Sequence, residues 1–344
     1  MSGPAPDDGP DLRVGIAFPF DQAAIDTFAA VSPRLRLRID ERYDQAGVDA
    51  VTADDLVGLI SSGLPSDLDR TPSLRWLQVM SAGVENLVGP GGGAWPERVT
   101  LTNARGAYAV PIAQYTMAAI LHVAERVDAR RAQQALRIWP DDGASLTGRP
   151  VRGHTLVIVG YGGIGREIAR LAQAHGMRVL AVKADPSTRT DDGFHAPGTG
   201  DPQGIIPERF AGIEGLVEVA READFMSITL PLTERSRGVV SREVLAALPP
   251  HAWIINTGRG PVVDDVALLA ALDARQLAGA VLDVFGEEPL PGSSPFWGRP
   301  DVVITPHVSG AWARDELVWL VTENLRRFVA GEPLCNRVII ERGY

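Results

Sequence analysis

The chain has 344 residues, 45% of them apolar and 22% charged, which is room for two globular domains with a core each. A net charge of −10 and a pI near 5.1 exclude a nucleic-acid surface, which needs a basic stripe against phosphates. A single cysteine, Cys335, excludes an intramolecular disulfide and a cysteine-built zinc site.

The first stretch, Met1–Asp11, is rich in Pro, Gly and Asp and lacks the basic patch and apolar core of a signal peptide. No apolar run is long enough to span a bilayer. A cytoplasmic protein with a short leader is expected, without membrane, nucleic-acid or metal partners.

Short apolar runs then alternate with helical spacing, which predicts an α/β fold with parallel sheets. Leu12–Ala17, Leu35–Ile39, Leu74–Met80 and Val99–Thr102 read as strands, and Gln22–Val31 and Ala53–Ser61 as helices between them. Val110–Val127 carries apolar residues at helical spacing, with Pro111 near the start, where its missing N–H costs nothing.

A second series follows, with strands at Thr155–Val159, Arg178–Lys183, Phe225–Leu230, Trp253–Asn256, Ala280–Val284 and Val302–Thr305. Helices are expected at Gly163–His175, Gly215–Glu222 and Val266–Asp273, and Asp185–Pro207 is a long loop rich in Pro and Gly. A last helix runs near Asp315–Ala330.

The sharpest local signal sits where the first strand of the second series meets its helix: Gly160-Tyr-Gly162-Gly163-Ile164-Gly165. In this Gly-x-Gly-x-x-Gly pattern the first glycine allows a tight turn, the second lets backbone approach a pyrophosphate, and the third lets helix pack on strand. The helix N-terminus then offers N–H groups to the phosphates. A dinucleotide is therefore expected here. The ribose-reading position at the end of the next strand holds Lys183, followed by Ser187 and Arg189. A cation there favours the 2′-phosphate of NADP(H), whereas Asp185, presented by a small shift of the turn, would favour NAD.

Three further blocks, each just after an expected strand, are Asn256-Thr257-Gly-Arg259-Gly, Asp283-Val-Phe-Gly-Glu-Glu288-Pro and Thr305-Pro-His307. With Leu230-Pro231-Leu-Thr233, Ser81-Ala82-Gly83 and Gly331-Glu-Pro-Leu, they resemble the signature blocks of the D-isomer-specific 2-hydroxyacid dehydrogenases. The resemblance covers nearly the whole chain after Asp11.

It implies an NAD(P)-dependent oxidoreductase that moves a hydride between the nicotinamide and a small 2-oxo or D-2-hydroxy acid. Histidine suits the proton transfer because its charge changes near neutrality. By resemblance His307 is the acid/base, Glu288 orients it, and Arg259 binds the substrate carboxylate with its planar fork. From the residues alone, Glu287 competes with Glu288 as the partner of the histidine. The resemblance also implies a carboxylate nest at the Ala82 and Gly83 N–H groups. It gives Asp283 to the nicotinamide carboxamide, and places Thr233, Leu230, Pro231 and Thr257 along the cofactor. Trp139 and Trp312 read either as walls of the substrate pocket or, as is commoner for tryptophan, as interface or core residues.

The fold implied is two Rossmann/flavodoxin-like doubly wound parallel-sheet domains. A dinucleotide-binding domain, 107–308, is inserted in a discontinuous substrate domain, 1–106 with 309–344. Arg105-Gly106 and Ser309-Gly310 would be hinges whose closure brings Ala82 and Gly83 to Arg259. A homodimer through the cofactor domains is expected. Glyoxylate, hydroxypyruvate, phenylpyruvate-like and 3-phosphoglycerate-type acids all fit the triad. The end at Tyr344, without an appended regulatory domain, disfavours the last. Three rivals remain: a formate-dehydrogenase-like enzyme of the same fold, disfavoured by a carboxylate beside the histidine; an NAD(H)-sensing protein with little turnover; and a structural α/β protein with a vestigial cofactor site, disfavoured by the intact constellation.

Overall fold

A computed structural model describes residues 9–88, 95–141, 143–310 and 313–342. Met1–Asp8, Trp312 and Tyr344 lie outside the described residues. The chain divides into two compact units, one of 1–107 with 313–344 and one of 108–312.

The first unit begins with strand β1 (Leu12–Ala17), helix α1 (Gln22–Ala29) and strand β2 (Leu35–Asp40). Asp21 caps α1, accepting the Ala24 N–H at 3.0 Å, and so supplies one of the partners a helix start lacks. Helix α2 (Gln45–Ala50) follows, then β3 (Leu56–Ser61), β4 (Trp76–Val79), α3 (Glu85–Val88) and β5 (Thr100–Thr102). The sheet is parallel throughout, in the order β2-β1-β3-β4-β5.

One expectation is overturned: Ala53–Ser61 is not a helix. The helix lies earlier, at Gln45–Ala50, capped by Asp44, and Leu56–Ser61 is a strand between β1 and β4. A short apolar run buried on both faces carries no period that separates strand from helix. Gly58 fits the strand because a Cβ there would lie 3.0 Å from the Trp76 ring.

The second unit opens with α4 (Ala109–Ala124) and α5 (Val127–Leu136). The single helix expected over 110–127 therefore breaks, at Arg126, whose φ of 54° is left-handed. Then come β6 (Thr155–Val159), α6 (Gly163–Ala174), β7 (Arg178–Val182), β8 (Arg209–Ala211), α7 (Leu216–Ala220) and β9 (Phe225–Ile228). The series ends with α8 (Arg242–Ala247), β10 (Trp253–Asn256), α9 (Asp265–Asp273), β11 (Gly279–Leu282) and β12 (Val302–Ile304).

All seven strands are parallel, in the order β12-β11-β10-β9-β6-β7-β8. Winding thus reverses at β6, and a doubly wound sheet binds ligands at the carboxyl ends beside such a switch point. Edge strand β8 and helix α8 have no counterpart in the sequence reading: the first is too short, the second only six residues.

Helix α10 (Arg314–Ala330) completes the first unit and ends at Gly331, whose φ of 70° is the usual left-handed helix stop. Its Asn324 is buried and donates to Gln78 Oε1 at 2.8 Å while accepting the Cys335 N–H at 2.7 Å. Gln78 also accepts from the Thr102 hydroxyl at 2.9 Å, which in turn accepts from Trp76 Nε1 at 2.8 Å. Buried polar groups are tolerated only when satisfied in this way. Among the described residues no helix is long and apolar enough to cross a membrane.

Candidate active site

The three glycines of the β6–α6 turn face three different surroundings. Gly160 has a φ of 109°, and a Cβ there would lie 2.9 Å from Thr229 Oγ1 and 3.0 Å from Leu230 N. A Cβ on Gly165 would lie 2.2 Å from the Gly160 carbonyl, so helix and turn touch only because it is absent. A Cβ on Gly162 would meet nothing within 4 Å. The turn is thus packed on two sides and open on the third, at the start of a 12-residue helix whose N-cap makes no side-chain hydrogen bond. Gly163 and Ile164 occupy the first positions of that helix. Open backbone and first-turn N–H groups are what a pyrophosphate requires.

Leu230 joins this turn to the Arg259 block. A Cβ on Gly258 would lie 2.8 Å from the Leu230 carbonyl, while Gly160 presses on the Leu230 N–H side. Thr257, between Asn256 and Gly258, is buried, and among the described residues its hydroxyl has no hydrogen-bond partner. An orphaned buried hydroxyl beside an open glycine turn fits a cofactor that supplies the missing partner. Pro231 and Thr233 lie in the next turn, closed by Ser236, whose hydroxyl donates to the Pro231 carbonyl at 2.6 Å.

At the end of β7, Lys183 Nζ donates to the Thr188 carbonyl. The Asp185 carboxylate accepts from the Ser187 hydroxyl and N–H and from the Thr188 hydroxyl, at 2.6, 3.0 and 2.7 Å. Those bonds hold its pKa at about 2 and tie it into its own turn.

Arg259, Glu288 and His307 follow three neighbouring strands, β10, β11 and β12. The Arg259 segment abuts the Glu288 segment so closely that a Cβ on Gly260 would overlap the Phe285 carbonyl. Glu288 Oε2 lies 2.7 Å from His307 Nδ1, and Oε1 accepts the Phe285 N–H at 2.9 Å. The histidine's partner is therefore Glu288 and not Glu287. Arg259 is half-buried, with Nη1 donating to the Gly258 carbonyl at 2.9 Å.

His307 adopts a φ of 54°, a conformation that costs free energy in any residue but glycine. Asp283 over-determines it. Its carbonyl accepts the His307 N–H at 2.9 Å, and its carboxylate accepts the N–H groups of Val308 and Ser309 at 2.9 and 3.0 Å. The Thr305 hydroxyl donates to the same carboxylate at 2.6 Å, so its single proton is used, and Tyr115 must be the donor to Thr305 at 2.6 Å. Burial pushes the Tyr115 hydroxyl upward in pKa and keeps it protonated for this role.

Asp283 is fully buried and serves the histidine turn, a role beyond the carboxamide contact expected of it. Ser309, expected at a hinge, is among the residues it holds. The sequence singles out Thr305 only as the start of the His307 block, and Tyr115 not at all, since it looks like one more residue of a helix.

In the first unit, Ala82 and Gly83 form part of the turn after β4. The Ser81 hydroxyl donates to the Gly83 carbonyl at 2.7 Å, and Asn103 Nδ2 donates to the Ala82 carbonyl at 2.9 Å. With those carbonyls engaged, the turn's N–H groups are what it offers an anion. Among the described residues no group of three His, Cys, Asp or Glu could hold a metal ion.

A family model described as D-isomer specific 2-hydroxyacid dehydrogenase, NAD binding domain, matches residues 117–309. The (S)-sulfolactate dehydrogenase of Chromohalobacter salexigens is 31% identical over 303 residues, 83% of this chain and 92% of that one. The glyoxylate reductase of Aeropyrum pernix is 31% identical over 303 residues, 84% of each chain. The crystal structure of a D-isomer specific 2-hydroxyacid dehydrogenase from Xanthobacter autotrophicus Py2, in complex with NADPH and MES, superposes with a TM-score of 0.77 at 28% identity. The match covers 98% of this chain and all of that one. With a 2-1-3-4-5 sheet in one unit and a dinucleotide turn at the switch point of the other, the chain belongs to the D-isomer specific 2-hydroxyacid dehydrogenase family of NAD(P)-dependent oxidoreductases.

Proposed function

We propose that this oxidoreductase reduces a small 2-oxo acid to the D-2-hydroxy acid, with His307 as the proton donor. The contact between His307 Nδ1 and Glu288 Oε2 carries the reading. It turns the other ring nitrogen, Nε2, outward as the atom that gives its proton to the developing alkoxide. Glu288 supports the imidazolium while the Phe285 N–H keeps the carboxylate in place.

Arg259 pairs with the substrate carboxylate through its fork and polarises the neighbouring carbonyl. Ala82 and Gly83 are further carboxylate donors through their N–H groups. When bound, the nicotinamide supplies the hydride. Gly160, Gly162, Gly163, Ile164 and Gly165 would hold the pyrophosphate, and Leu230, Pro231, Thr233, Thr257 and Asp283 the nicotinamide half.

NADP(H) is the preferred cofactor in this reading, because the ribose-reading position at the end of β7 holds Lys183, followed by Arg189, rather than a carboxylate; Asp185 and Lys183 are both engaged in the turn, Lys183 through the Thr188 carbonyl. The reading assigns the cofactor to the unit of 108–312 and the substrate carboxylate nest to the other. It includes a cytoplasmic homodimer. Leu136, Ile138 and Trp139 at the end of α5 are exposed, Trp139 to 94%, and such a cluster on the cofactor-binding unit suits a contact with a second copy.

The test is oxidation of NADPH, and of NADH in parallel, followed by the loss of nicotinamide absorbance with glyoxylate, hydroxypyruvate, pyruvate and phenylpyruvate. Turnover abolished by His307→Ala supports the assignment. Cofactor binding without turnover on any of these acids would move the reading to an unusual 2-oxo acid or to a sensor.

A further inference from the structure

Arg166 follows the last glycine of the dinucleotide turn, where a helix surface normally carries its charge into water. Here the side chain is 1% exposed. Its guanidinium donates to the Asp201 and Arg189 carbonyls, the latter at 2.7 Å, and lies 3.3 Å from Asp191 Oδ2. It also stacks on the Tyr161 ring, with Cζ 4.8 Å from the centroid. All three polar partners belong to the long segment after β7.

Tyr161 sits between the first two glycines of the turn and is buried. Its hydroxyl donates to Asp201 Oδ2 at 2.7 Å, and the Asp201 carboxylate also accepts the N–H groups of Ile205 and Ile206. Burial, and after it the bond to Asp201, push the Tyr161 pKa upward, so the hydroxyl stays a donor. Glu167, the next helix residue, is buried as well and accepts the Gly200 N–H at 2.6 Å. On the far side, Phe210 meets Tyr161 edge-on at 5.3 Å, and the Arg189 guanidinium lies over Phe210 at 5.3 Å.

A buried guanidinium is costly unless its partners are fixed. The two carbonyls and the carboxylate that meet this guanidinium all lie on one segment. That segment directly follows Lys183, at the strand end that reads the ribose in a dinucleotide fold, and contains Arg189, the second cation expected there.

We propose that Arg166, with Tyr161 and Asp201, is a positioning clamp that sets the ratio of NADPH to NADH affinity by holding the 184–207 segment against the dinucleotide turn. Arg166 acts through the segment and touches no nucleotide itself. The proposal rests on the reading of the turn as an NAD(P) site.

The experiment compares wild type with Tyr161→Phe, Asp201→Asn and Arg166→Lys. Dissociation constants for NADPH and NADH are measured separately by nucleotide fluorescence without substrate, alongside hydrogen–deuterium exchange over 184–207 and the melting temperature. The clamp predicts faster exchange in that segment and a NADPH-to-NADH affinity ratio moved by about fivefold or more. A merely structural role would weaken both nucleotides alike. A ratio within about twofold of wild type in a folded variant overturns the proposal. Should Arg166→Lys not fold, Tyr161→Phe, which removes a single hydrogen bond, decides alone.

The wild-type ratio separately tests the NADP(H) preference: a chain that favours NADH sinks that preference, and the clamp then stands or falls on whether the ratio moves. A wild type that binds neither nucleotide overturns both.

Discussion

Glu288 meets His307 with one carboxylate oxygen and its own loop with the other: Oε2 lies 2.7 Å from Nδ1, and Oε1 accepts the Phe285 N–H at 2.9 Å. The carboxylate therefore cannot swing away from the ring without giving up a backbone bond. His307→Ala is expected to lower kcat by about a hundred- to ten-thousand-fold while leaving the cofactor dissociation constant nearly unchanged. Glu288→Gln keeps the shape and removes the charge, so its kcat should fall less and its pH–rate profile should shift. Steady-state kinetics across pH, with fluorescence titration of cofactor, checks both; equal loss of cofactor binding would remove His307 from the chemistry.

Arg259 is assigned to the substrate carboxylate because its fork can bind bidentately. Arg259→Lys keeps the charge and loses the fork, and kcat/KM for the 2-oxo acid should fall by about tenfold or more. Arg259→Ala should fall further, with partial rescue by added guanidinium. A KM that stays at the wild-type value in both variants would reassign the residue.

The glycine turn yields opposite outcomes at neighbouring positions. Gly165→Ala places a methyl group 2.2 Å from the Gly160 carbonyl, so it should destabilise the fold by about 1–3 kcal/mol, read as a lower Tm. Gly162→Ala meets open space, so Tm should hold while cofactor affinity drops. The two effects exchanged would contradict the packing described for the turn.

At the opposite, amino-terminal end of the central strands β6 and β9, Asp224 accepts the Thr155 N–H at 2.7 Å and lies 2.9 Å from both His154 and His251. Burial pushes its pKa upward, and the Thr155 N–H and the two histidines together outweigh that and lower it below 3.8. A carboxylate with a depressed folded-state pKa stabilises the protein above its unfolded pKa, and the stabilisation is lost as pH falls through the folded value. Asp224→Asn should lower Tm at neutral pH, and its deficit should shrink as the solution is taken below about pH 4. Thermal melts across that range are the check. A deficit that grows on acidification would reverse the sign.

What the sequence made legible is whatever has a local cause. The glycine turn, the strands with a single apolar run and the order of the blocks holding Arg259, Glu288 and His307 follow from neighbouring residues, and the same blocks emerge at the carboxyl ends of adjoining strands. Leu56–Ser61 was misread because a strand buried on both faces has no alternation to show. Arg166 and Glu167 look like a solvated helix face in sequence. Only the returning 184–207 segment buries them, and no spacing rule announces that contact. Tyr115 was hidden likewise, since its partner Thr305 is 190 residues away.

The pairing of Gln78 with Asn324 spans 246 residues of chain. On a ribosome the second unit, continuous in sequence, can complete all seven of its strands while the first still waits for α10. Until then the nascent first unit carries Gln78 and Trp76 without their α10 partners, Asn324 and Phe328. Biogenesis should therefore proceed from the middle of the chain outward, the earliest-made strands being among the last to be sealed.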